Sequence, residues 1–378
     1  MKYLFIFVLG VHGLIHLMGF AKAFNLAAFE PIQTPISQPL GLLWLGAGLL
    51  LVVSVVLFFA LPTWWWLPAL LGVVLSQVLI STAWSDAKVG TLANLIICVP
   101  ALVAALLAAP WNYRAQYGRD VAAGMASHTN QTEVVTEADL AHLPAAVQQY
   151  LRFAGVVGQP RVRNYQLQMH GGLRNGPNDG WMQVKIDQQS FVGPHERLFL
   201  VDTAMFGVPA QAYHRYIGPH AIFEVKIAAL FRIVDARGPE MDRSETVTLF
   251  NDMCLLAPAT LIDPQIVWEE LDPQTVQATF TNAGNTIRAV LSFDANGALR
   301  NFYSDDRSRT TNGQSYKQVR WSTPVTSWRT VNGRPMPEAE ARWHLPEGEF
   351  AYAYFVVDAV EYNVTQSASD TPSSSSRP

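Results

Sequence analysis

The stretch Tyr3-LFIFVLGVHGLIHLMGFAKA-Phe24 is apolar throughout except for two His and one Lys near its end. Three further apolar runs follow it, over 40–61, 64–84 and 89–109. Each is close to the roughly 20 residues that an α-helix needs to cross a hydrocarbon core of about 30 Å. Pro62 divides the second run from the third, and Ser85-Asp86-Ala87-Lys88 divides the third from the fourth. Trp64, Trp65, Trp66, Trp84 and Trp111 sit at run ends, where an indole prefers the headgroup layer. The length of the first run, its two His and the three runs after it argue against a cleavable signal peptide. Residues 1–111 are therefore expected to form a four-helix transmembrane bundle in contact with membrane lipids, with spans near 3–24, 40–61, 64–84 and 89–109.

Composition changes sharply beyond that point. Up to Pro110 the charged side chains are the five residues Lys2, Lys22, Glu30, Asp86 and Lys88, and nearly every Arg and acid lies after Trp111. A formal net charge of −4 leaves no footprint for nucleic acid. The two cysteines, Cys98 and Cys254, read as small buried hydrophobes with no disulfide. Residues 367–378 are Ser/Pro-rich and read as a disordered tail.

Polar residues inside apolar spans carry information because they are costly there. His12 and His16 are four apart and share a helix face. Gln77 and Ser81 share a face of the third helix, and Thr91 and Asn94 one of the fourth. At about 1.5 Å per residue, His16, Gln77 and Asn94 fall roughly 8–12 Å from one membrane surface, at which Asp86 lies. Such a layer suits a proton relay, a metal or haem site, or a polar pocket for a lipid headgroup or quinone. The plainer alternative is interhelical hydrogen bonding, with Gly10, Gly13 and Gly19 letting helices approach. No acid accompanies the His pair as in HExxH, and no second membrane helix offers a His for haem. No cofactor is expected, and any metal is left unassigned.

From 112 to 136 the chain is polar and reads as a linker. A helix is expected from Glu137 or Asp139 to about Phe153, with Leu140, Leu143, Val147, Tyr150 and Leu151 on one face. The period then changes to two. Strands are expected over 162–173, 181–191, 197–205 and 211–217, and again over 267–271, 276–281, 287–293, 299–305, 319–328, 339–345 and 352–362. Asn175-Gly176, Asn296-Gly297, Asn312-Gly313 and Asn332-Gly333 mark tight turns. One internal helix is expected to start at Asp242 or Ser244 and end near Pro258. The pattern predicts, over 137–366, a mainly antiparallel β (α+β) soluble domain: a curved sheet or open half-barrel with a covering helix.

That domain shows no GxSxG, P-loop, GxGxxG or HExxH motif, and no enzyme activity is assigned. Its histidines (His128, His142, His170, His195, His214, His220 and His344) are scattered without metal-like spacing. Asp235, Arg237, Glu240 and Asp242 form its densest charged cluster, either a polar anchor at a cavity mouth or an ion pair beside helix-start acids. Phe191, Phe199, Phe206, Tyr213, Tyr216, Phe223 and Phe231 would line a cavity or form ordinary core.

Four segments carry a resemblance: Tyr150-LRFAGVVGQ-Pro160, Val234-DARGPEM-Asp242, Leu256-APAT-Leu261 and Trp343-HLPEGE-Phe350. They resemble a bacterial family known only as a domain of unknown function, over about 140–362. Members often carry membrane segments ahead of the domain, and the family implies no activity or site. The strand-and-helix pattern is also similar to the open β-barrels of lipoprotein carriers, a likeness of fold alone. Together these imply a bacterial inner-membrane protein whose β domain binds a lipid, acyl chain or other amphiphile without catalysis. The alternatives are a redox or ion-handling protein built on the membrane His pair, and a structural or partner-binding envelope module whose protein partners are unspecified. Lys2, Arg114 and Arg119 against Lys22 and Lys88 bias the soluble domain slightly to the cytoplasm; the carrier likeness implies the opposite side.

Overall fold

The computed structural model describes residues 2–27, 32–127 and 133–365. The chain divides into two compact units, Met1–Asn112 and Tyr113–Pro378.

The first unit is helical: α1 (Lys2–Ala23), α2 (Gln38–Ala60), α3 (Trp66–Thr82), the single turn α4 (Trp84–Ala87) and α5 (Gly90–Ala108). Of these, α1, α2 and α5 are long and apolar enough to cross a membrane. At 17 residues α3 is shorter, because Pro62-Thr63 and the turns around Trp64 and Trp65 consume its expected start. At 1.5 Å per residue it covers about 26 Å. The count of spans is thus three by length, with a fourth apolar helix packed among them. Outward faces carry exposed Leu4, Phe7, Leu42, Val56, Leu71 and Leu95, a surface that needs an apolar solvent. Helices α1 and α2 approach closely where a Cβ on Gly48 would stand 2.8 Å from the Gly13 carbonyl oxygen. Gly19 likewise yields its space to the Trp44 indole, whereas Gly10 has room for a side chain.

The second unit opens with a helix where a linker was expected. α6 (Tyr113–Ala126) lays Tyr113, Tyr117, Val121 and Met125 against Phe191, Leu198, Leu200 and Tyr213. Its apolar residues recur at helical spacing within a polar stretch, so the overall polarity hid one buried stripe. The expected helix after residue 137 is two, α7 (Glu137–Leu140) and α8 (Ala145–Phe153), because Pro144 cannot continue a helix from Leu143. The expected tail, 367–378, lies outside the described residues, as does His128.

Among the described residues sixteen strands follow: β1 (Asn164–Leu173), β2 (Met182–Phe191), β3 (Glu196–Met205), β4 (Val208–Ile217), β5 (His220–Ile227) and β6 (Phe231–Ala236). After α9 (Pro239–Leu256) and a short 3-10 turn come β7 (Val267–Asp272), β8 (Thr275–Asn282), β9 (Asn285–Phe293) and β10 (Leu299–Ser304). The last are β11 (Ser308–Arg309), β12 (Lys317–Gln318), β13 (Trp321–Ser322), β14 (Val325–Val331), β15 (Arg334–Leu345) and β16 (Gly348–Tyr362). All but β11 and β12 belong to one antiparallel sheet, ordered β6-β5-β4-β3-β2-β1-β16-β15-β13-β10-β9-β8-β7 with β14 on β15. The sheet is open, since β6 and β7 do not pair.

Strands β5 and β6 are absent from the sequence reading. Their connection turns on Ala228 and Ala229, both at positive φ, instead of the Gly or Asn that usually signals it. The single strand expected over 319–328 is split into β13 and β14 at Thr323-Pro324, where Pro has no N–H for the ladder.

α9 begins at Pro239 rather than Asp242, with Pro preset for the first helical turn and Gly238 at φ 99° ahead of it. Fourteen of its 18 residues are buried. It is polar and apolar on all sides, and it packs against one face of the sheet, touching β5, β8, β9, β10 and β15.

The two halves of the sheet meet only through β1 and β16, paired from Tyr165–Tyr362 to Leu173–Ala353. A Cβ on Gly171 would sit 2.0 Å from the Tyr354 carbonyl oxygen. Backbone cannot yield as a side chain can, so Gly171→Ala should destabilise the domain by about 3 kcal/mol. A denaturant midpoint within error of wild type would show that the strands separate without cost.

Candidate functional site

Inside the helical unit, three of the four apolar helices bring polar residues together. His12 Nε2 lies 2.8 Å from Asn94 Oδ1 and 3.3 Å from Ser76 Oγ. Ser76 Oγ also donates to Asn94 Oδ1 at 3.0 Å. Asn94 Nδ2 donates to Gln77 Oε1 at 3.0 Å, and Gln77 Nε2 to Thr91 Oγ1 at 3.2 Å. An amide oxygen only accepts, so His12 carries its proton on Nε2. His12, Ser76, Gln77, Thr91 and Asn94 thus form one hydrogen-bonded chain tying α1, α3 and α5 together.

His16 stands outside that chain, although it was placed at the depth of Gln77 and Asn94. Helical rotation aims it at α2, with its ring 5.1 Å from the Trp44 ring. Its Nδ1 is 2.9 Å from the His12 carbonyl oxygen. A carbonyl can only accept, so Nδ1 holds the proton and the neutral ring keeps a lone pair on Nε2. His16 is 1% exposed, and among the described residues that Nε2 has no hydrogen-bond partner.

His16 and His12 line a cavity of about 310 Å3, with Ile15, Met18, Trp44, Ile80, Ala83, Asp86, Val89 and Ala93. Asp86 is its polar rim. Its Oδ2 accepts from the backbone N–H groups of Gln33 at 2.9 Å and Thr34 at 2.7 Å, and Ser85 donates to Oδ1. The hydrogen bonds from Thr34 lead in holding this carboxyl at about 2. Ser76 and Trp44 went unnoticed in the sequence because a single Ser or Trp in an apolar run has no spacing signal. Among the described residues, no group of three or more His, Cys, Asp or Glu is placed to hold a metal ion.

The charged cluster of the β domain does not stay together. Asp235, on β6, and Arg237 join Arg232 in a network around the buried Glu224: Arg237 to Asp235 at 2.5 Å and to Glu224 at 2.8 Å, Arg232 to Glu224 at 2.9 Å. Asp242 instead faces β5, accepting from the Ala221 N–H at 2.6 Å. Glu240 is exposed at the helix start. Alternation across strands also scatters the aromatic set. Phe199 and Tyr216 face α9, Phe191 and Tyr213 face α6, and Phe206 and Phe231 are exposed.

The polar centre of this domain lies elsewhere, between β3 and α9. Arg197 reaches Asp252 at 2.7 Å and Glu245 at 3.0 Å, and Gln188 donates to Asp252 at 2.8 Å. His214 Nε2 is 2.9 Å from Glu245 Oε2. All five side chains are buried. Burial alone would raise the Glu245 carboxyl; the facing charges of His214 and Arg197 hold it instead at about 2. Burial lowers the His214 imidazole, partly opposed by Glu245. No spacing in the sequence joins residues 197, 214, 245 and 252; only the fold does.

Residues 133–355 match the model of a family of unknown function, DUF6544. The chain belongs to that family. The match falls within the β-rich unit and takes in the buried Arg197 cluster, while the helical unit with its cavity precedes it. No curated protein matches the sequence. Among solved structures, the chain is similar to a DUF1329 family protein from Desulfovibrio piger, at 13% identity and TM-score 0.34, over 60% of this chain and 95% of that one.

Removing one partner of a buried ion pair strands the others, at a cost of about 3–5 kcal/mol. Arg197→Met should lower the unfolding free energy by that amount, whereas a loss under about 1 kcal/mol would class the pair with exposed ones. Glu245 has its folded value depressed from 4.5 to about 2. Its stabilisation is therefore complete above about pH 4.5 and is lost as pH falls toward 2. Glu245→Gln should flatten that part of the stability–pH curve; an unchanged slope would assign it to other carboxylates.

Proposed function

We propose that this is a non-enzymatic inner-membrane protein whose helical unit, with all four apolar helices embedded, binds the polar end of an amphiphile. The observation that carries the reading is the buried His16 Nε2, unpartnered among the described residues, in the wall of a cavity of about 310 Å3. A lone pair in an apolar wall is costly without a donor, so it suits a ligand bearing a hydroxyl or similar donor. The volume is near the lower end of ligand pockets. It has room for roughly ten water-sized groups, enough for a headgroup or ring whose apolar tail extends into lipid.

This reading moves amphiphile binding from the β domain to the helices. The face of the sheet that packs on α9 is filled by that helix, and a hollow beside α8 lined by Ala154, Val162 and Met336 measures about 20 Å3, room for about one water. The His12–Asn94 hydrogen bond also supports a structural role for His12 and leaves His16 as the binding residue.

Native mass spectrometry of the full chain, released from detergent, should report a bound lipophile that organic extraction recovers. His16→Leu should lose most of that occupancy, while His16→Asn, which restores a donor and acceptor, should keep part of it. Wild-type protein carrying only the bulk lipid mixture, in the same proportions as His16→Leu, would overturn the reading. A bound metal or chromophore lost in His16→Leu would replace it with ion or redox handling.

A further inference from the structure

The β3–β4 and β5–β6 hairpins turn at the same end of the sheet. Ala210 pairs with Ile227, and the Ala228 N–H donates to the Pro209 carbonyl at 2.8 Å, so the two turns lie side by side. Both display large apolar side chains. Phe206 is 96% exposed, Phe231 64%, Leu230 55% and Ile233 44%. A soluble surface would place Asn or Gly at such tips. Phe206 also pays for its position with φ 55°, a left-handed conformation that is an outlier for a bulky residue. Backbone strain that holds an aromatic ring out into solvent points to something that receives the ring.

The chain itself says what that is. α6 enters the domain at this same end: the Tyr113 ring lies 4.3 Å from Lys226 Nζ, and Lys226 pairs with Arg232, next to the Ile227–Phe231 pair. Arg114 bonds Asp202, which pairs with Gln211, three residues along β4 from the Phe206 turn. From there α6 runs away from the tips, until Gly124 meets Phe191 at the far end of β2. Only residues 109–112 separate Tyr113 from α5, the last of the apolar helices. The domain is thus tethered to its membrane helix at the end that carries the exposed apolar tips.

We propose that Phe206, Leu230 and Phe231 insert into the bilayer interface and fix the β domain against the lipid surface. Each buried apolar tip then adds to the tether at roughly 25 cal/mol per Å2 removed from water, and the domain is held in one orientation instead of swinging freely. The occupant is lipid rather than a second protein because the same chain enters the membrane beside the tips. The proposal is independent of any ligand in the helical cavity.

The test uses the full chain, with Cys98→Ser and buried Cys254 retained, in vesicles of phosphatidylcholine and phosphatidylglycerol. Nitroxide labels are placed at Phe206→Cys and Leu230→Cys, and at His220→Cys, which starts β5 at the opposite end of the β4–β5 pair. Labels at 206 and 230 should relax several-fold more with oxygen, which partitions into lipid, than with a water-soluble nickel chelate, while the label at 220 should show the reverse. Equal nickel access at all three positions would overturn the proposal. So would labels at 206 and 230 shielded from both reagents with spin–spin broadening, which would put a second copy on the tips. Circular dichroism of each variant in detergent checks that the sheet is intact, and two independent tip positions keep the outcome readable if one variant misfolds.

Discussion

The Arg197 guanidinium, buried between β3 and α9 and shared by Glu245 and Asp252, is the interaction on which the β domain depends. The larger apolar cluster of this open sheet lies on the face that packs against α9. A helix with buried residues on every side gains area in many rotations, so area alone fixes it poorly. Ion pairs within an apolar surround fix it, because each misplaced charge is left without a partner. Thr246, bonded to the Tyr216 hydroxyl at 2.7 Å, and Asn251, bonded to Thr323 at 2.7 Å, extend the same device along the helix.

The helical unit solves the matching problem in a solvent that rewards no burial. Lipid is as apolar as leucine, so its helices are held by close approach at Gly13 and Gly48 and by the His12–Ser76–Asn94–Gln77 chain. That chain is saturated with partners, and His16 is not. The contrast separates polar groups that build the unit from one that has capacity left over.

Much of this was legible in the residues. Apolar length marked the helices, and period-two alternation with Asn-Gly turns marked most strands. Depth along the helices grouped His16 with Gln77 and Asn94, whereas the hydrogen bonds join Gln77 and Asn94 to His12, one turn away. Depth does not encode rotation about the helix axis, so it grouped His16 with the wrong partners. Strands β5 and β6 were lost because alanines make their turn, and α6 because its apolar stripe is diluted by charge. The Arg197 cluster draws on three strands and a helix, and sequence separation hides such a set until the chain is folded.

Strand β1 ends at Leu173 and its partner β16 begins at Gly348. At about 5–20 residues per second, a ribosome needs roughly nine to thirty-five seconds to make the chain between them. For that time the six-stranded meander stands with β1 as an open edge, and open edges recruit other strands. The apolar helices leave the ribosome first, so a nascent molecule is already held at the membrane while its sheet is half built. Translation order thereby keeps unfinished sheets apart on a surface, where free diffusion in solution would let their edges meet.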